Sequence, residues 1–190
     1  MSDPRSVIDF WYAPRARALW FEKDREFDAE IRTRFGAAVH AAQMGELDSW
    51  AATQMGALAL LILLDQMGRN IHRGSPKAFL GDARALAIAN AAIARDFDKG
   101  LPFDQRRFFY LPFEHAEDMT NQDRSIALFT RLYEETGGAD RKEAEEQLDY
   151  AHRHRDIVKR FGRYPHRNAA LGRLSTEDET AFLKMPNSSF

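Results

Sequence analysis

The sequence predicts an all-α fold, and three observations carry that reading. Apolar residues recur at helical spacing through most of the chain, no segment alternates with period two between hairpin signals, and the run from Ala57 to Leu64 is apolar without a break. A helix that is apolar on every side has to be enclosed by others. The run is therefore expected at the centre of a helical stack.

The elements follow in order. Ser6 to Trp11 reads as a short first helix closed by Pro14. Asp24 caps a longer helix in which Phe27, Ile31, Phe35 and Val39 share one face, and Gly45 ends it. Trp50 opens the approach to the buried run, which stops polar at Asp65-Gln66-Met67-Gly68-Arg69-Asn70. Gly74-Ser75-Pro76 supplies a turn, a cap and a first-turn proline. Asp82 to Arg95 is an alanine-rich helix with Leu86, Ile88, Ala89 and Ile93 inward, its small residues permitting close packing. Pro112 interrupts the aromatic run Phe108-Phe109-Tyr110-Leu111, so two short helices at an angle are expected there. Gln122 to Glu135 and Ala139 to Phe161 form an antiparallel pair about Gly137-Gly138. A last helix starts at Ser175-Thr176, with Glu179 as the capping-box partner of Thr176. About eight helices in consecutive pairs make an α-α stack resembling a tetratricopeptide-like superhelix, although the repeat of about 34 residues is absent.

Composition bounds the function. At 190 residues, 44% hydrophobic with 14 Phe and 3 Trp, the chain is expected to form a single helical domain over 1–190 with a core that needs no staple. It has no cysteine, which excludes disulfides, thiolate nucleophiles and cysteine-held metals, and points to a cytoplasmic protein. The polar start Met1-Ser2-Asp3-Pro4-Arg5 carries no signal region, and no apolar run approaches the roughly 20 residues of a membrane span. The net charge of −2 argues against a nucleic-acid partner. It conceals an asymmetry: eleven acidic and four basic residues from Glu114 to Asp149, then seven basic and one acidic from Tyr150 to Arg173. Such a basic stretch favours an anion or pairs with the acidic segment before it.

Polar groups concentrate in Phe161-Gly162-Arg163-Tyr164-Pro165-His166-Arg167-Asn168. Gly162 ends the helix and Pro165 prevents its continuation, so a fixed turn aims the residues that follow. Arg163 and Arg167 offer planar forks for phosphate or carboxylate, Asn168 an amide, and His166 a proton near neutral pH. The same side chains would serve equally to tie helix ends together. Asp65 and Arg69, four apart, form a polar core pair, while Arg69 and Asn70 could also reach a cleft shared with the corner. His154 falls on the inner stripe of its helix with Ala151, Val158 and Phe161, a core histidine bonded to a carbonyl or carboxylate. His115 with Asp118, and His152 with Asp156, have helical spacings suited to a metal, but neither pair supplies a third or fourth ligand. No metal and no cofactor is assigned.

With those residues set out, the chain resembles a bacterial family of unknown function, DUF924. The resemblance rests on Phe10-Trp11, Trp20-Phe21, Phe27-Asp28, Gly56-Ala57-Leu58-Ala59-Leu60, Leu64-Asp65-Gln66, Arg69-Asn70-Ile71, Tyr110-Leu111-Pro112-Phe113, Glu117-Asp118 and the Phe161 to Asn168 corner, and it covers nearly the whole chain. It implies a tetratricopeptide-like helical fold and no particular activity. Two positions depart from the family pattern. Gly68 stands where proline is more frequent, and Glu114 where an apolar residue is, which makes a carboxylate at 114 a poor choice for a mechanism shared across the family.

Three functions remain open at this level. The first is a binding module whose cleft takes a small anionic ligand or acidic peptide on Arg69, Asn70, Arg163, His166, Arg167 and Asn168. The second is an enzyme acting on a phosphorylated or carboxylated small molecule, with His166 or His115 as acid or base. The third is a structural or oligomeric role through an apolar patch at Phe108 to Phe113.

Overall fold

Side-chain oxygens of Asp3, Asp24, Thr53, Asp118 and Thr176 each accept a backbone N–H at the start of a helix, satisfying donors that the helix itself leaves open. Gly45 and Gly162 close two long helices at φ 84° and 70°, a conformation that costs other residues strain. In the computed structural model, which describes residues 3–186 and 188, these signals bound an all-α chain with no strand among the described residues. Met1 and Ser2 of the polar start lie outside them. Contacts group the chain into two compact units, residues 1–73 with 77–112, and 74–76 with 113–190.

The first unit holds α1 (Pro4–Trp11), α2 (Pro14–Arg17), α3 (Arg25–Met44), α4 (Gln54–Leu61), α5 (Gly68–Ile71), α6 (Asp82–Ala94) and most of α7 (Phe103–Glu114). Residues from Ala57 to Leu64 are buried throughout, as an all-apolar helix requires. A π turn, Ile62–Met67, joins α4 to α5. π turns concentrate at functional or strained positions, and this one carries Asp65. Trp11, Trp20, Phe27 and Phe108 pack as a cluster, with ring centroids of Trp20 and Phe108 5.0 Å apart. The guanidinium of the buried Arg107 lies 4.6 Å over the Trp20 ring.

Two expectations are corrected here. The run from Phe108 to Phe113 belongs to one helix, α7, with Pro112 inside it. Proline removes a single hydrogen bond to the carbonyl four residues earlier, and the helix ends only two residues later at Glu114, so the loss is confined to its last turn. The aromatic run is also buried, with Phe108, Phe109, Tyr110, Leu111 and Phe113 each at 3% exposure or less, so it forms core and no apolar patch.

The second unit holds α8 (Met119–Glu135), α9 (Arg141–Phe161), α10 (Asn168–Leu171) and α11 (Glu177–Phe182). Arg155 meets Asp123 at 2.6 Å and Arg141 meets the Tyr133 carbonyl at 2.5 Å, pairings that run α8 and α9 antiparallel. Ile157, Val158 and Tyr164 form a buried cluster covered by Met119, Phe161 and Phe182. A single 3₁₀ turn, Pro165–Arg167, leads into α10.

Candidate functional site

The polar exit of the buried run is an ion-pair knot within the first unit. Arg69 Nη2 donates to Asp65 Oδ1 at 3.1 Å and to Asp82 Oδ1 at 3.0 Å, and Gln66 Nε2 donates to Asp65 Oδ2 at 2.6 Å. Burial opposes the Arg69 charge, but Asp65 and Asp82 outweigh it and raise its pKa above the ordinary guanidinium value. Asn70 donates to Asp28 Oδ1 at 2.8 Å, and Arg73 grips the same carboxylate at 2.6 and 3.1 Å. Arg69 Nη2 and the Asn70 amide thus engage carboxylates of their own unit.

The corner after α9 is likewise woven from carboxylates. Arg163 Nε and Nη2 donate to the two oxygens of Glu179 at 2.6 and 2.8 Å, and Nη2 also donates to the Leu174 carbonyl. Arg173 holds Glu117 through both Nη atoms at 2.7 and 2.9 Å, while its Nε donates to Asn168 Oδ1. Asn168 Nδ2 donates to Ser175 Oγ at 3.0 Å and to Glu179 Oε2 at 3.2 Å. Bidentate pairs of this kind fix geometry as well as charge. Arg163 fixes the Glu179 carboxyl at about 2, overcoming the opposing effect of burial, with help from the Thr176 N–H and Asn168. Burial pushes the Glu117 carboxyl upward; the Arg173 fork, the Tyr164 N–H and the Arg167 charge more than reverse it, leaving the group below its usual value.

Inside this frame lies a second layer. Tyr164, fully buried, donates its hydroxyl to the Glu114 carbonyl at 2.5 Å and accepts from Gln122 Nε2 at 2.7 Å. Burial raises its pKa far above the ordinary phenol value, so it stays protonated. The Arg167 guanidinium sits 4.5 Å over the Tyr164 ring and is itself only 6% exposed. His154 and His166 approach the same ring, with centroids at 5.6 and 5.5 Å. His154 Nδ1 is 2.8 Å from the Tyr150 carbonyl and 3.6 Å from Glu114 Oε1, and the His115 ring lies 6.2 Å from that of His154. Burial first, then the charges of His115, His166 and Arg167, push the His154 pKa well below 6.5, so the imidazole is neutral at physiological pH.

Of the sequence-predicted residues, His115, His154, His166, Arg167, Arg163 and Asn168 all lie in the second unit, and Asp65, Arg69 and Asn70 in the first. Asp118 does not stand with His115 as a ligand pair: its oxygens accept from the Asn121 N–H and amide at 2.9 and 2.7 Å, capping α8. His152 and Asp156 are exposed on α9. Sequence reasoning missed Gln122, Arg173, Tyr164 and the second task of Glu179. The Thr176–Glu179 capping box is visible in sequence, but the same carboxylate also receiving Arg163 and Asn168 depends on a chain reversal that no local spacing records.

No curated protein matches the chain. A solved protein of unknown function from Agrobacterium tumefaciens is similar to it, with a TM-score of 0.85 and 41% identity over 95% of this chain and 96% of that one. The model of a family described as bacterial protein of unknown function, DUF924, matches residues 7–187, so the chain belongs to that family.

Proposed function

We propose that the second unit binds a small phosphate- or carboxylate-bearing molecule beside Arg167, His166 and His154. The observation that carries this reading is the concentration of basic groups in a buried setting: a 6% exposed guanidinium and two imidazoles converge on the Tyr164 ring, and burial together with the charges of His115, His166 and Arg167 depresses the His154 pKa. A local positive field in a low-dielectric surrounding favours an anion more strongly than the same charges would on a wet surface. Arg163, Arg173 and Asn168 act as the frame, since their donors engage Glu179, Glu117 and Ser175. A terminal carboxylate of an acidic peptide presents the same chemistry. The second reading, an enzyme acting on such an anion, is favoured by the neutral His154, which is able to accept a proton at physiological pH.

The test is thermal unfolding of metal-free protein with inorganic phosphate, a phosphate monoester and a dicarboxylate. A ligand at one hundred times its Kd should add about 2.7 kcal/mol of stability. Arg167→Gln is expected to abolish that gain, whereas Arg163→Ala lowers the melting temperature but preserves the ligand-induced rise. If none of these anions shifts the wild-type melt, the reading is wrong.

A further inference from the structure

We propose that Glu114, His115 and His154 form a binding site for one divalent transition-metal ion of the zinc class. A carboxylate oxygen and one nitrogen from each ring lie within 4.8 Å of one another. Tetrahedral ligands at zinc distances stand about 3.4 Å apart, so side-chain rotations of roughly 1 Å close the set. The three residues come from both sides of one junction. Glu114 is the last residue of α7 and His115 follows it, while His154 projects from α9.

The surroundings hold these groups as a metal site needs them held. His154 Nδ1 donates its N–H to the Tyr150 carbonyl at 2.8 Å, which fixes the ring and leaves Nε2 as the basic nitrogen. The Glu114 carbonyl accepts from the Tyr164 hydroxyl and from Gln122 Nε2, which ties this residue to α8 and to the corner after α9. Glu114 Oε1 and His154 Nδ1 are 3.6 Å apart, beyond hydrogen-bond range. The nitrogen that His154 offers an ion is therefore Nε2, with Nδ1 held on the Tyr150 carbonyl. The choice of ion follows from the ligand set: two imidazoles with one carboxylate suit zinc or cobalt and not calcium or magnesium, which prefer oxygen ligands. His₂Glu is a three-ligand set of the kind that keeps a fourth position for water or an anion. Placing the anion in that position rests on the reading under Proposed function; the metal site itself does not.

Chelator-treated protein is titrated with cobalt(II) in a buffer free of coordinating anions, and the visible d–d absorption is followed. The expected result is one equivalent bound with an intense tetrahedral-type spectrum, displaced by zinc(II). His115→Ala, a half-buried position, and Glu114→Gln should each weaken binding at least tenfold, while His152→Ala on the exposed side of α9 leaves it unchanged. Absence of uptake by the wild type, or uptake indifferent to His115→Ala and Glu114→Gln in variants whose circular dichroism is unaltered, overturns the site. Adding inorganic phosphate to apo and cobalt-loaded protein then separates the two readings. A spectral change shows the anion on the metal. Unperturbed cobalt bands with a rise in melting temperature place it beside Arg167 alone and overturn only the fourth-position step.

Discussion

Arg69 illustrates how a single side chain decides between a ligand site and a structural one. Its guanidinium bridges Asp65, 1% exposed, and Asp82 across the end of the buried run. Removing one member of such a triad leaves buried charge uncompensated, so Arg69→Met is expected to cost on the order of 3 kcal/mol in urea unfolding. A triple replacement of Asp65, Arg69 and Asp82 by apolar residues of matching size should recover much of that loss. Glu179 makes the complementary case through pH. Its folded carboxyl titrates at about 2, and an unfolded glutamate at about 4.3, so the folded state prefers the ionised form. The stabilisation is fully present above the unfolded value and disappears as pH falls through that window towards the folded one. Wild-type melting temperature should therefore drop between about pH 5 and pH 3. Glu179→Gln should begin lower at neutral pH and show a shallower drop, with Glu117 supplying much of the remaining slope. An unchanged slope in the variant would assign the acid sensitivity to other carboxylates. The pairing of Asp65 with Arg69 was visible in the sequence because they stand four residues apart; those of Asp82 with Arg69 and of Glu179 with Arg163 were not, because the partners come from distant turns.

Elements whose ends carry their own signals were the legible ones. Asp24 and Gly45 bound α3 at the residues expected, and Thr176 with Glu179 opens α11. The apolar face of Phe27, Ile31, Phe35 and Val39 is buried as its spacing requires. Pro112 misled, since its sequence signal is the same whether proline sits in mid-helix or one turn from the end. The π turn was illegible for a different reason: it begins inside the all-apolar run and all six of its residues are buried, so no exposed polar face marks the slip in register. Backbone approach is equally silent in sequence. A Cβ on Gly56, the third residue of α4, would stand 2.0 Å from the Trp50 carbonyl oxygen, a backbone atom. Gly56→Ala should therefore destabilise despite the better helix propensity of alanine, by roughly 2 kcal/mol in a denaturant series. Gly36 lies within α3 with open space around the same position, and Gly36→Ala should be neutral to stabilising. The two substitutions together distinguish a close backbone approach from a simple propensity effect.

At the scale of the whole molecule, a net charge of −2 coexists with a local excess of basic groups, so any anion must be recognised by placement and not by the overall field. Within the second unit the acidic stretch answers much of the basic one, Asp123 to Arg155 and Glu117 to Arg173, which explains how the charge asymmetry is carried without a general polyanion surface. Glu114 is different in kind. Its carboxylate is 4% exposed and stands beside two imidazoles. Burying a carboxylate is costly, and the groups that meet it have to offset that cost. Glu114→Leu is expected to lose cobalt binding and to retain the phosphate-induced shift that depends on Arg167. A large fall in the melting temperature of that variant without metal would instead make Glu114 a structural partner of His154, and would move the chemistry of the second unit entirely to Arg167 and His166.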